Sequence, residues 1–272
     1  MASAGQLLDA MTTVASQAAA TILAARSGTL TVRTKADQSP VTAADEAAES
    51  ILMEGIACLL PGVPIASEEA VYRSGCDPVD GDFILVDPID GTREFLAGRD
   101  EFTINLALVR SGRPILGIVA APALGLVWRT SAGSGAERIR LAPGAPANTA
   151  SEPTPIRTRP FPSESPIAIV SRSHFDAQSE AFLARLPNIQ RVSSGSALKL
   201  CRLADGAADV YPRLGSSHEW DVAAGHAVLA EAGGIVTTPA GEPLPYGGFA
   251  DKFLVRGFIA WGDPSAAAKY HL

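Results

Sequence analysis

Phe83-Ile84-Leu85-Val86-Asp87-Pro88-Ile89-Asp90-Gly91-Thr92 is the stretch on which the reading of this chain turns. Its first four residues form an apolar run of strand length, bounded by polar residues, and predict a short buried strand. Asp87 and Asp90 fall where that strand ends, and Gly91-Thr92 can turn the chain into a short helix over 93–97. Two carboxylates three residues apart at a strand end suit a hard divalent cation, which takes several oxygen ligands. The N–H groups of Gly91 and Thr92 could hold a phosphate, as helix starts do. Taken alone, the same residues are also an ordinary buried strand closed by an Asp-Gly turn.

Upstream, Leu7, Leu8, Met11, Val14, Ala15, Ala18, Ala19, Ile22 and Leu23 recur at helical spacing and predict an Ala-rich helix ending before Gly28. Residues 30–34 read as a short strand and 35–40 as a turn. Thr42 can cap a second helix, with Asp45 three residues on in capping-box position, so Asp45 reads first as part of a cap. Pro61-Gly62 ends that helix. Glu68 and Glu69 follow a short apolar stretch and are placed on a loop, which continues over 71–81. Then 102–109, 115–121 and 124–130 read as consecutive antiparallel strands.

Residues 143–166 are dense in Pro, Ser, Thr and Ala and read as an irregular connection. They mark the expected boundary between an α+β half, 1–150, and an α/β half, 151–272. In the second half, strands at 167–170, 189–192, 208–211 and 235–237 alternate with helices at 177–186, 196–204 and 221–232, and 253–261 closes the chain. Asp221, in Trp220-Asp221-Val222-Ala223-Ala224-Gly225-His226, reads as an N-cap ahead of an Ala-rich run able to pack tightly on a sheet. His218 and His226 lack metal-ligand spacing, and His226 is assigned to packing or the surface.

The 272 residues can bury a substantial core, and the formal net charge of −7, with no basic stretch to offset it, argues against a nucleic-acid polymer as partner. Cys58, Cys76 and Cys201 lack metal-ligand spacing and read as reduced, buried thiols. No run reaches membrane-span length, and Met1 to Ala20 has neither the basic region nor the continuous apolar core of a signal peptide, so a cytoplasmic location is expected. There is no Walker loop and no Gly-x-Ser-x-Gly elbow. What remains is a set of acids at element ends: Glu68, Asp87, Asp90 and Asp221, with Asp45 as a fifth. Such carboxylates repel one another if they converge, unless divalent cations sit among them, and two Mg²⁺ ions can clamp an in-line phosphoryl displacement. Spacing alone does not establish the convergence.

Asp87-Pro88-Ile89-Asp90-Gly91-Thr92, with Ser67-Glu68-Glu69 before it and Trp220-Asp221-Val222-Ala223-Ala224-Gly225 after it, resembles the inositol monophosphatase superfamily in order, separation and local elements, over nearly the whole chain. The resemblance implies a layered αβαβα sandwich and a Mg²⁺-dependent, lithium-sensitive phosphatase using two or three ions. It implies that Glu68, Asp87 and the Ile89 carbonyl hold a first metal that activates water, and that Asp87, Asp90 and Asp221 hold a second. Thr92 and Asp45 would orient the water, and the Gly91 and Thr92 N–H groups would bind phosphate.

Gln38-Ser39-Pro40-Val41-Thr42-Ala43-Ala44-Asp45, Glu94-Phe95 with Glu101-Phe102-Thr103-Ile104-Asn105, Gly195-Ser196-Ala197-Leu198-Lys199-Leu200-Cys201 and Tyr211-Pro212-Arg213 resemble the bacterial 3′(2′),5′-bisphosphate nucleotidase branch of sulfate assimilation. By that likeness Ser196, Lys199 and Arg213 contact the second phosphate, Asp221 also meets the substrate, and His174 lies near the nucleotide. Lys and Arg supply the positive charge that an acidic site needs for such a substrate. Arg93 stands where this branch commonly has Lys. The implied reaction is removal of the 3′-phosphate from adenosine 3′,5′-bisphosphate (PAP) to give AMP, with its sulfated analogue PAPS as a further substrate. An inositol monophosphatase or a sugar-bisphosphate phosphatase is the alternative, and relatives occur as monomers and homodimers.

Overall fold

Burial along one strand sets the layering. Phe83 and Leu85 pack into one core and Ile84 and Val86 into another, and all four are buried. A strand apolar on both faces needs a covering layer on each side. The chain is described here from a computed structural model over residues 3–27, 32–34, 40–75, 81–173 and 176–270.

A short antiparallel pair, β1 (Val32–Thr34) with β2 (Pro40–Thr42), precedes the first large sheet. That sheet runs in order β3 (Ile65–Ser67), β4 (Phe83–Asp90), β5 (Thr103–Arg110), β6 (Arg113–Ala121), β7 (Leu126–Ser131), β8 (Ala136–Arg140) and β9 (Thr154–Ile156). Every neighbouring pair is antiparallel except β3 with β4. Helices α1 (Ala4–Arg26) and α2 (Ala43–Leu59) cover one face, burying Met11, Ala15, Ile22, Leu52 and Ile56 against Ile84, Val86, Leu106 and Ile118. By length and composition alone α1 could cross a membrane, but half of its most apolar window is buried inside this fold.

The second sheet has the order β11 (Gln190–Ser194), β10 (Ile167–Ser171), β12 (Val210–Arg213), β16 (Phe258–Trp261), β14 (Ile235–Thr237). The β10 pairings are parallel and the β16 pairings antiparallel. A small ladder joins β13 (Ser217–His218) to β15 (Leu254–Val255). Between the sheets lie α6 (Leu198–Ala204) and α7 (Glu219–Glu231), whose Leu200, Ala224 and Val228 share a core with Leu85 and Val109 on one side and Ile169 and Ala260 on the other. On the outer face, α5 (Ala177–Leu183) and α8 (Pro264–Tyr270) pack Phe182, Leu183 and Ala266 onto Ala168, Val210 and Trp261. The layers therefore alternate αβαβα, as the resemblance implied. The small residues of α7 allow a close approach to the first sheet: a Cβ on Gly117 of β6 would sit 2.4 Å from the Ala224 carbonyl oxygen.

Several local expectations are corrected. The segment read as a loop from Glu68 onward is α3 (Glu68–Ser74), and the two acids open it, where negative charge favours a helix N-terminus. The Pro-rich connection contains β9, an edge strand in which Pro155 can be accommodated because one side needs no ladder bond. The closing segment is two strands, β15 and β16. Helix α6 starts at Leu198 rather than Ser196, because Ser196 takes a left-handed conformation (φ 50°). Cys201 is buried as expected, but Cys58 is exposed on α2, and Cys76 lies outside the described residues. His226 does pack inside, with Nδ1 2.8 Å from the Tyr246 hydroxyl, and burial pushes its pKa down to about 4.

Candidate active site

The end of β4 opens onto a cavity of about 340 Å³ whose opposite walls come from α6, β12 and α7. Asp87 and Asp90 both line it. In a regular strand, residues three apart face opposite sides. Here the pairing with β5 slips between Asp87↔Asn105 and Asp90↔Thr103, and this irregularity at Pro88-Ile89 brings both carboxylates to one side. The Asp87 Oδ1 accepts from the Ile89 N–H at 3.0 Å, and Thr92 Oγ1 donates to the Ile89 carbonyl at 3.1 Å. Gly91, in the left-handed region at φ 92°, turns the chain into α4 (Thr92–Leu96). Behind Asp90, Thr103 Oγ1 donates to Asn105 Oδ1 at 3.0 Å, which leaves the Asn105 amide to face Asp90 Oδ2 at 3.4 Å.

Glu68, the first residue of α3, and Asp221, the third of α7, join the same cavity. Asp221 is not the N-cap: that position is His218, and Asp221 Oδ2 reaches back to the His218 N–H at 3.0 Å and accepts from Ser217 Oγ at 2.6 Å. Burial, then the charge of Asp221, raises the Asp90 pKa to about 7. Lys199 projects from α6 with Nζ 2.5 Å from the Ser196 carbonyl oxygen and 5.3 Å from the centre of the Tyr211 ring. Its burial lowers its pKa to about 8, a fall that the Asp90 charge resists. Arg213, at the end of β12, donates from Nη2 to the Ser216 carbonyl at 2.9 Å.

Of the candidate site residues read from the sequence, every described one except Asp45 lines this cavity. Asp45 is buried outside the lining, its Oδ2 accepting from the Thr42 N–H at 2.8 Å and the Thr42 hydroxyl at 2.6 Å, the cap read from the sequence. His174 lies outside the described residues.

Other lining residues had no assigned role. Tyr72 sits in the stretch misread as loop, its hydroxyl 3.3 Å from His218 Nε2, and His218 stacks on Trp220 at 4.8 Å. Recognising α3 would have found Tyr72, one helical turn from Glu68. Glu94 is buried and accepts from Ser173 Oγ at 2.5 Å, across the seam between the two sheets' segments. Glu101 strengthens that seam through Arg172 and Ser194. Gly195 is required there, since a Cβ would lie 2.7 Å from the Glu101 carbonyl oxygen.

Among the described residues, no three His, Cys, Asp or Glu side chains are drawn into a closed ligand set. The donor chemistry nevertheless fits a hard divalent cation: Glu68, Asp87, Asp90, Asp221 and the Ile89 carbonyl are oxygen donors on one cavity. The raised Asp90 pKa reflects a burial and charge repulsion that a cation would offset.

With this geometry in place, the family can be stated. The chain matches the inositol monophosphatase family over residues 4–268 and belongs to it, a family of metal-dependent phosphatases. Among its relatives, the 3′(2′),5′-bisphosphate nucleotidase CysQ of Escherichia coli K12 is 39% identical over 268 residues, covering 93% of this chain and 98% of its own. The Haemophilus influenzae protein of the same name is 30% identical, covering 86% of this chain and 84% of its own. Among solved structures, CysQ from Bacteroides thetaiotaomicron superimposes with a TM-score of 0.77 at 31% identity, covering 93% of this chain and 95% of its own. An inositol monophosphatase from Zymomonas mobilis reaches the same TM-score at 26% identity, covering 99% of both chains.

Proposed function

We propose that this chain is a Mg²⁺-dependent 3′(2′),5′-bisphosphate nucleotidase that converts PAP to AMP and phosphate, with PAPS as a further substrate. The observation that carries this reading is the pairing, in one cavity, of an acidic wall (Glu68, Asp87, Asp90, Asp221) with two cations, Lys199 and Arg213. A monophosphate substrate needs the first wall; a second phosphate gives the cations a role. The likeness to the CysQ proteins supports the same choice.

In this reading Glu68, Asp87 and the Ile89 carbonyl would hold one Mg²⁺, and Asp87, Asp90 and Asp221 a second. Bound there, the ions would supply a nucleophilic water at neutral pH and charge at the phosphoryl oxygens. The Gly91 and Thr92 N–H groups bind the scissile phosphate. Thr92, a lining residue, would orient the attacking water, with Asp45 buried behind the lining in support. Lys199 and Arg213 neutralise the second phosphate, Ser196 adds a hydrogen bond, and His174 is assigned to the nucleotide by the family likeness alone. Water attacks in line, and no covalent phosphoenzyme forms.

The test is phosphate release from PAP, inositol 1-phosphate and fructose 1,6-bisphosphate, each with and without Mg²⁺. Strong preference for PAP with no turnover after chelation is expected. Preference for inositol 1-phosphate would keep the acidic wall and replace the nucleotide reading by an inositol monophosphatase.

A further inference from the structure

We propose that Glu49 is a positioning residue for Glu68, fixing the turn that presents this carboxylate to a divalent cation. The inference rests on the reading of Glu68 as a metal ligand. Glu49 lies in the middle of α2, one helical turn beyond Asp45, and is 4% exposed. Its Oε1 accepts from Ser67 Oγ at 2.5 Å and from the Ala70 N–H at 3.0 Å. Its Oε2 pairs with Arg73, whose Nε also bonds the Glu69 carbonyl at 3.2 Å. The partners thus bracket Glu68 on both sides in sequence, and none of them lines the cavity.

Two details make this more than an internal polar contact. Ser67 stands at the N-cap of α3, where a serine hydroxyl ordinarily accepts from its own helix's second or third N–H. Ser67 makes no such bond; its hydroxyl donates to Glu49, and Glu49 takes the N–H of Ala70, the third residue of α3. The cap of α3 is therefore supplied by a different helix. Second, a carboxylate buried on α2 costs desolvation, and its cation partner Arg73 is 59% exposed, so screening leaves that pair a weak compensation. An apolar side chain would fill the space at lower cost but could not hold Ser67 and Ala70. The first residue of α3 is Glu68, so the anchor sets the position and direction of its side chain. Groups that orient metal ligands from behind typically change metal affinity about 10–100-fold when removed.

The experiment measures Mg²⁺ binding to the metal-stripped full chain by isothermal titration calorimetry below each variant's unfolding midpoint, alongside kcat and KM for PAP. Glu49→Ala is expected to weaken Mg²⁺ binding about tenfold, the low end for such groups, while kcat at saturating Mg²⁺ stays near wild type. Glu49→Gln, which keeps an acceptor for Ser67 and Ala70, should recover most of the affinity, and Arg73→Ala should bind as wild type. A folded Glu49→Ala protein with unchanged Mg²⁺ affinity overturns the proposal, as does a Glu49→Gln protein as impaired as the alanine variant. If Glu49→Ala does not fold, Ser67→Ala decides: weakened binding supports the anchor, and unchanged binding overturns it. Glu68→Gln separates the two levels. Normal Mg²⁺ binding there removes the metal reading itself, whereas lost binding there with normal binding in Glu49→Ala removes only the positioning role.

Discussion

The two walls of the cavity are built in different ways. The acidic wall is largely local: Asp87, Ile89, Asp90, Gly91 and Thr92 follow one another at the end of β4, and Glu68 opens α3 directly after the neighbouring parallel strand β3, with Asp221 alone brought in from a distant helix. The cationic wall is made across two elements, Lys199 on α6 with Ser196 just before that helix, and Arg213 at the end of β12 with Tyr211 two residues ahead of it on the same strand. A contiguous motif survives as a pattern in the chain, whereas a clamp made across elements exists only once the layers have packed. The difference separates chemistry from specificity. In the proposed function, the acidic wall would suit any phosphate ester handled with divalent cations, and the cationic side chains would select among esters.

Asp90→Asn strikes the shared chemistry and should have the largest effect. We expect a loss of about 10²–10³-fold in kcat/KM on PAP and inositol 1-phosphate alike. The thermal midpoint of the metal-free protein should hold or rise, because one of two repelling carboxylates is gone. Near-normal turnover would remove Asp90 from the metal wall.

Lys199→Ala tests the other wall alone. KM for PAP should rise about 10–100-fold, the loss of one charge-assisted hydrogen bond, with inositol 1-phosphate hydrolysis nearly untouched. Equal loss on both substrates would make Lys199 part of the acid wall's machinery and dissolve the contrast.

The smallest effect is expected where the walls are pressed together. Gly195→Ala forces a methyl into the Glu101 carbonyl, which should cost about 1–3 kcal/mol and lower the thermal midpoint by a few degrees. KM for PAP should rise while calorimetric Mg²⁺ affinity stays constant. An unchanged midpoint would show that the seam yields freely.

Much of this was legible before folding because its causes are local. The apolar run at 83–86, the Thr42–Asp45 capping box and the Ala-rich run of α7 each state a short-range preference that the fold honours. The misreadings have equally physical causes. Glu68-Glu69 looked like solvated loop charge because α3 is short and takes its cap from Glu49, which lies on another helix. Strand β9 was hidden by Pro155, which only an edge position tolerates, and edge position is a property of the sheet. The cap read at Asp221 falls one turn too late because His218, an uncommon N-cap residue, occupies that place.

By itself, then, the sequence determined most element types and the two-faced burial of β4, since periodicity, capping and turn chemistry act within a few residues, and it carried the acid motif whose family likeness implies a phosphatase. Only the tertiary structure decided that Asp87 and Asp90 face the same way, that Asp221 meets them from a helix more than a hundred residues later, and that Lys199 and Asp90 share one buried environment. These depend on strand register and burial, and both are fixed by contacts between residues distant in the chain.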